Sequence, residues 1–386
     1  MTSKLTDTKS QPTVASFKRP AAIENEGNAS YMNRRHFALM GFAAASAVVL
    51  KKTLAQEPTP SRLEEALPSS GISVKSCSEL PLLPAEPIPQ ITEKLFPGFH
   101  ATTLETSGAR IRVLTKGTGK PLLLLHGHPE TMVTWHKIAP ALAQGYQVVL
   151  TDLRGYGDSS RPEGGDNHVN YSFRAMAQDQ IEVMRQLGHE RFFLAGHDRG
   201  GRAAHRLCLD HPNAVKKVAF LDIAPTLTMY QDTSQEFATK YMWWFFQIQP
   251  YPIPEHFIAF DPVYYLRDHL YVQGKTAGAV TPEAMSEYAR CYCSVKSIHA
   301  VCEDYRAGAS IDLDMDRADD AAGHKIACPV HALWGAKGTV GHLWNVIDTW
   351  KPKATESVTG RGLDCGHLLP EEQPDEVLSE FQRFFT

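Results

Sequence analysis

The sequence predicts an α/β protein with a mostly parallel sheet and a helical cap inserted into it. Three observations carry that reading. Short apolar runs alternate with helical stretches from residue 98 onward, the rhythm of a doubly wound parallel sheet. The run Arg191–Ala195 leads into Gly196-His197-Asp198-Arg199-Gly200 and then a helical stretch, a sharp strand–turn–helix that lifts its central side chain above the sheet. From Pro225 to about Gly323 the rhythm stops, and the chain becomes helical and aromatic-rich, as in Tyr241-Met242-Trp243-Trp244-Phe245-Phe246.

Taken in order, residues 1–55 read as a polar leader followed by an export signal. Arg34-Arg35, a Phe two residues on and an Ala-rich run to Leu50 resemble a twin-arginine signal, with small residues at Thr53-x-Ala55 for cleavage. That apolar run is too short for a bilayer core, which needs ~20 residues, so no stable membrane span is expected and the protein is placed in the periplasm or outside the cell. If the signal reading fails, the location is cytoplasmic. Residues 56–97 form a proline-rich linker. The sheet domain is expected over 98–225 and 324–386, with the cap at 226–323.

Within that domain, His100–Thr106 and Ala109–Thr115 read as a hairpin turning at Ser107-Gly108. Pro121–Leu125 is apolar throughout, as a strand covered on both faces must be. Thr134–Ala143 is expected to be helical, Tyr146–Thr151 a strand, Ser172–Leu187 a helix, Arg202–Asp210 the helix after the elbow, and Val215–Leu221 a strand ending at Asp222. Strands at Pro329–Trp334 and near Glu356–Thr359 and a closing helix at Glu376–Phe385 complete the reading.

The net charge of −4 over 386 residues, with 21% charged, gives no basic surface for nucleic acid. Seven cysteines without zinc-type spacing read as buried small apolar residues. His126-Gly127-His128 lacks a third ligand nearby, so no metal and no cofactor are expected. The partner is a small-molecule substrate, and a homodimer is compatible with the sequence.

His-Gly-x-Pro at 126–129, Asp-x-Arg-Gly-x-Gly-x-Ser at 152–159, Gly-x-Asp-x-Gly at the elbow and Gly366-His367 together resemble the α/β-hydrolase superfamily. The Asp at the elbow, His197-Asp198-Arg199-Gly200-Gly201-Arg202 and Cys302-Glu303-Asp304-Tyr305-Arg306 are similar to haloacetate dehalogenases, the group that includes fluoroacetate dehalogenases. The likeness spans roughly residues 95–386.

An elbow carboxylate attacks an sp³ carbon and forms an alkyl-enzyme ester, which water must then cut. His367 is the candidate base for that water. Its acid partner stands either after Trp334-Gly335, where Ala336-Lys337-Gly338-Thr339 holds no carboxylate, or at Asp222, the position the resemblance also implies. Backbone N–H groups of His128 and Arg199 are expected to receive the oxyanion of the second step. His126 is expected to be a hydrogen-bonded structural histidine.

Arg199 and Arg202, three apart on the first helical turn, can both face the pocket and hold a substrate carboxylate. The resemblance implies a halide cradle on the cap, made by a His-Trp pair and a Tyr, and it falls on Trp243, Trp244 and Tyr305. Trp243 stands where the family has His. A donor lost there predicts a preference for chloro- or bromoacids over fluoroacids, because fluoride is the leaving group most in need of donors. Two other functions fit less well. An epoxide hydrolase would use the same Asp-His-Asp set and two cap tyrosines, with Tyr241, Tyr265 and Tyr305 available. A non-catalytic hydrolase-fold binding protein would have no use for a complete triad.

Overall fold

The computed structural model describes residues 93–386. The leader, the twin-arginine segment and the linker up to residue 92 lie outside the described residues. Eight strands run β1 (His100–Glu105), β2 (Arg110–Lys116), β3 (Lys120–Leu125), β4 (Tyr146–Thr151), β5 (Phe192–His197), β6 (Val215–Leu221), β7 (Val330–Gly335) and β8 (Val358–Leu363). They form one sheet in the order β1-β2-β4-β3-β5-β6-β7-β8. The β1/β2 hairpin is antiparallel, and β2 also meets β4 antiparallel. From β4 to β8 every pairing is parallel.

Apolar continuity in the central strands follows from burial on both faces. Leu122–Leu125, Val148–Leu150, Leu194 and Val218–Leu221 are all inaccessible to solvent. Because β3, β5, β6 and β8 point the same way, the loops after them gather at one edge of the sheet. The chain leaves β3 toward β4 on one side and returns as β5 on the other, which opens a crevice beyond the ends of β3 and β5. Between β6 and β7 the described chain is helical from Thr226 to Ala322, and Gly323 closes the last helix with φ +71°. No described helix is long and apolar enough to cross a membrane.

Three expectations for local structure needed correction. The stretch 134–143 is not one helix but a 3₁₀ turn, Met132–Trp135, and a single turn, Ala139–Leu142. Pro140 has no N–H for a continuing ladder and instead starts the second turn. The elbow helix begins at Asp198 rather than Arg202. Gly200 and Gly201 look like turn residues in the sequence, yet they are helical, and their missing side chains serve close approach: a Cβ on Gly200 would lie 2.4 Å from the His126 carbonyl oxygen. The last strand is Val358–Leu363 rather than a segment near 356–359. Its Gly360 interrupts the apolar pattern because a Cβ there would strike the Ala332 carbonyl oxygen at 1.8 Å.

Candidate active site

Asp198 sits at the end of β5 as the first residue of the elbow helix, 4% exposed and with φ +45°. A non-glycine residue in that region carries about 1–3 kcal/mol of strain. The turn closes because Gly196 has no side chain, since its Cβ would meet the Gly200 carbonyl oxygen at 2.4 Å. One carboxylate oxygen, Oδ1, accepts the His128 amide at 3.0 Å. The Arg199 amide makes no such bond here, so half of the expected pair of backbone donors is in place.

His367 stands over the other oxygen, with Nε2 at 3.9 Å from Asp198 Oδ2. Its Nδ1 is 2.5 Å from Asp222 Oδ2, and an ionised carboxylate there holds the proton on Nδ1 and leaves Nε2 as a lone pair. Asp222 also has a positive φ, +49°, and its Oδ1 accepts the Gly335 amide at 2.8 Å. The loop after Trp334-Gly335, which lacks a carboxylate, therefore contributes a backbone donor to the acid on β6. Glu372 fixes the histidine loop by accepting the amides of Gly366 and Leu368 at 3.0 Å each.

Behind Asp198 lies a pair not anticipated from the sequence. His197 Nδ1 is 2.8 Å from Glu130 Oε2, and its Nε2 is 2.8 Å from the His367 carbonyl oxygen. Both partners only accept, so both ring nitrogens carry protons and His197 is a cation. Burial opposes that charge, but Glu130 outweighs it and raises His197 to about 9. The ring lies 4.6 Å from that of His367. Burial likewise opposes ionisation of Asp198. Opposing it in turn, His367 in its protonated form and the cations Arg202, His197 and Arg199 pull the carboxyl well below its ordinary value, so Asp198 stays ionised. The sequence signal for the pair was Glu130 itself, a charged residue directly after His-Gly-x-Pro, whose burial only the structure shows.

His126 is the structural histidine expected: its Nε2 accepts the Leu153 amide at 3.0 Å and its Nδ1 lies 2.8 Å from the Gly127 carbonyl oxygen. The two arginines are not equivalent. Arg199 is paired with Asp304 through Nε (2.9 Å to Oδ2) and through Nη2, and lies 4.3 Å above the Tyr305 ring. Arg202 has no acid partner within ion-pair distance among the described residues. Its Nη1 donates to the Ala224 carbonyl (3.2 Å) and Thr226 Oγ1 (3.0 Å), its Nε has no partner, and its guanidinium lies 4.5 Å over the Trp244 ring.

The helical insertion closes the pocket from above. Trp243, Trp244 and Tyr305 are all buried, as is His269 on the helix Pro262–Gln273. The indole Nε1 of Trp244 has no hydrogen-bond partner among the described residues. A cavity of about 700 Å³ lined by Tyr241, Trp243, His269 and His367 leads to the reacting groups.

Fold and site together define an α/β hydrolase with an aspartate at the elbow. The profile of the α/β hydrolase fold matches residues 120–260. The chain is 41% identical to a fluoroacetate dehalogenase of Burkholderia, over 76% of this chain and 95% of that one. It is 31% identical to a soluble epoxide hydrolase of Corynebacterium, over 72% and 95%. A solved α/β-hydrolase structure from Nostoc superimposes with a TM-score of 0.74 at 55% identity, covering 75% of this chain and 99% of that one. The chain belongs to the α/β-hydrolase family and is dehalogenase-like within it.

Proposed function

We propose that this protein is a hydrolytic dehalogenase of short 2-halo carboxylic acids. The observation that carries the reading is the Asp198 carboxylate, held ionised beside two buried guanidiniums and under the His367–Asp222 pair. Likeness to the Burkholderia fluoroacetate dehalogenase supports the same chemistry.

Arg202, cationic and without an acid partner, takes the substrate carboxylate, and Arg199 adds the N–H groups that Asp304 leaves free. Asp198 then attacks the α-carbon from the face opposite the halogen. The carbon–halogen pair of electrons departs with the halide, and an ester links Asp198 to the acid. Water between His367 and the ester loses a proton to Nε2 as its oxygen attacks the Asp198 carbonyl carbon. Asp222 stabilises the imidazolium and the His128 amide steadies the oxyanion; on collapse the imidazolium returns its proton to the departing alkoxide oxygen, the 2-hydroxy acid is released, and the new carboxylic acid loses its proton to water to regenerate the Asp198 carboxylate.

A second reading, epoxide hydrolysis, is supported by the likeness to the Corynebacterium enzyme and by Tyr265 and Tyr305 on the cap. A neutral epoxide, however, gives the buried Arg202 no counter-charge. Assay of halide release from chloro-, bromo- and fluoroacetate beside diol formation from small epoxides separates the two. Halide release with no diol is expected, and diol formation without halide release overturns the reading.

A further inference from the structure

The cavity of about 700 Å³ beside His367 is far larger than a two-carbon halo acid needs. Such an acid has five non-hydrogen atoms, whereas cavities of roughly 300–1,000 Å³ bury molecules of drug size. The groups that would hold a haloacetate lie outside this space. Arg202 is stacked on Trp244 and Arg199 on Tyr305, and none of these four, nor Asp198, lines the cavity.

Cavity and reacting groups meet at His367. Its ring forms part of the cavity wall, while its Nε2 stands 3.9 Å from Asp198 Oδ2. From there the space runs between the sheet-edge loop at Ala336 and the cap helices Met242–Phe246 and Pro262–Gln273. Tyr241, whose ring lies 6.5 Å from that of His367, and Trp243 are buried at its inner end. Met242, Tyr264 and Val272 are exposed at its mouth. Apolar side chains thus line a channel from solvent to the catalytic histidine.

The three lysines of the wall are all engaged. Lys240 pairs with Glu236 at 2.7 Å, Lys337 with Asp364 at 2.9 Å, and Lys275 Nζ donates to the Val272 carbonyl at 2.6 Å. Asp268 is the one acid of the wall, and it opposes a second anionic group. Water held against such walls is displaced favourably by an apolar chain and unfavourably by a charged one.

We propose that this channel is a tail site, and that the substrates include 2-halo acids whose α-carbon carries an uncharged apolar chain of several carbons. This rests on the dehalogenase reading and extends its substrate class. With the carboxylate on Arg202 and the α-carbon at Asp198, the chain passes His367 and lies along Tyr241, Trp243 and Tyr264. It takes no part in the bonds made and broken, and adds binding at a distance from the reacting carbon.

The test is kcat/KM for chloride release from chloroacetate and from racemic 2-chloropropanoate, 2-chlorohexanoate and 2-chloroadipate. Between 2-chloropropanoate and 2-chlorohexanoate three methylenes enter the channel. Each is worth about fourfold when buried, and ordering the chain takes part of that back, so a rise of about tenfold or more is expected. 2-Chloroadipate, equal in carbons but ending in a carboxylate, is expected to lose the rise. Val272→Trp narrows the exposed mouth and is expected to lower the ratio of 2-chlorohexanoate to chloroacetate activity. If chloroacetate is turned over but kcat/KM stays flat or falls toward 2-chlorohexanoate, this inference alone is overturned. An unchanged ratio in Val272→Trp overturns it too, as does 2-chloroadipate proving the better six-carbon acid. No chloride from any of the four acids overturns the dehalogenase reading itself, and this inference with it.

Discussion

The sheet edge and the cap solve the polar-group problem in opposite ways. At the sheet edge the groups proposed for the hydrolytic cycle are already partnered: Asp198 with the His128 amide, Asp222 with His367 and Gly335, and, behind them, His197 with Glu130 and the His367 carbonyl. On the cap, Trp244 Nε1, His269 Nε2 and Gln247 Oε1 are buried without partners among the described residues. Arg202, on the elbow helix but facing the cap, shares that condition at Nε. The contrast separates chemistry from recognition. In the dehalogenase reading proposed above, groups that must be aligned before water attacks are locked by the protein, whereas groups that meet the substrate wait for it.

Breaking the locked side should do the most damage. Asp222→Asn removes the carboxylate that holds the His367 proton on Nδ1. It is expected to cut steady-state turnover about 10⁴-fold, the scale seen when the acid of a catalytic triad becomes an amide. The first step needs no base, so one equivalent of halide per active site should still appear as a burst. Loss of the burst as well would place Asp222 in the first step. A cap substitution such as Trp244→Phe, which removes a buried unpartnered N–H, is expected to cost one or two orders of magnitude less, and to depend on the halogen.

The Glu130–His197 pair sharpens the same comparison through stability. His197 is raised from 6.5 to about 9 on folding, so its contribution is complete below about pH 6.5 and is lost as pH rises through 9. That swing is on the order of 3 kcal/mol. Denaturant unfolding of the wild type between about pH 6 and pH 10 should show the decline. Glu130→Gln should be less stable at pH 6 and should flatten the curve. An unchanged slope in the variant would mean that the pair does not carry the charge assigned to it.

Much of this layout could be read in the chain. Strands β4 and β6 match their expected ranges because continuous apolar runs leave a two-face-buried strand little alternative. Asp198, Asp222 and His367 were legible for a different reason, since each follows a strand and bears a side chain suited to the chemistry. What sequence could not show was pairing across the fold. Arg199 and Arg202 look interchangeable three residues apart, and only the helix Val295–Gly308, which brings Asp304 onto Arg199, makes them unequal. His269, distant from every motif, reads as an ordinary helical histidine until packing sets it against Trp243 and His128. Glycines misled in one direction, because at Gly200 and Gly360 they mark close backbone approach inside regular elements rather than turns.

The covalent intermediate tests the central claim most directly. A His367→Gln variant, able to form the ester but without the base that activates water, is incubated with chloroacetate, digested and analysed by mass spectrometry. The account predicts a carboxymethyl group on the peptide carrying Asp198, with one chloride released per enzyme. Chloride release without any modification of that peptide would contradict it, because the halide would then have been displaced without Asp198 as the nucleophile.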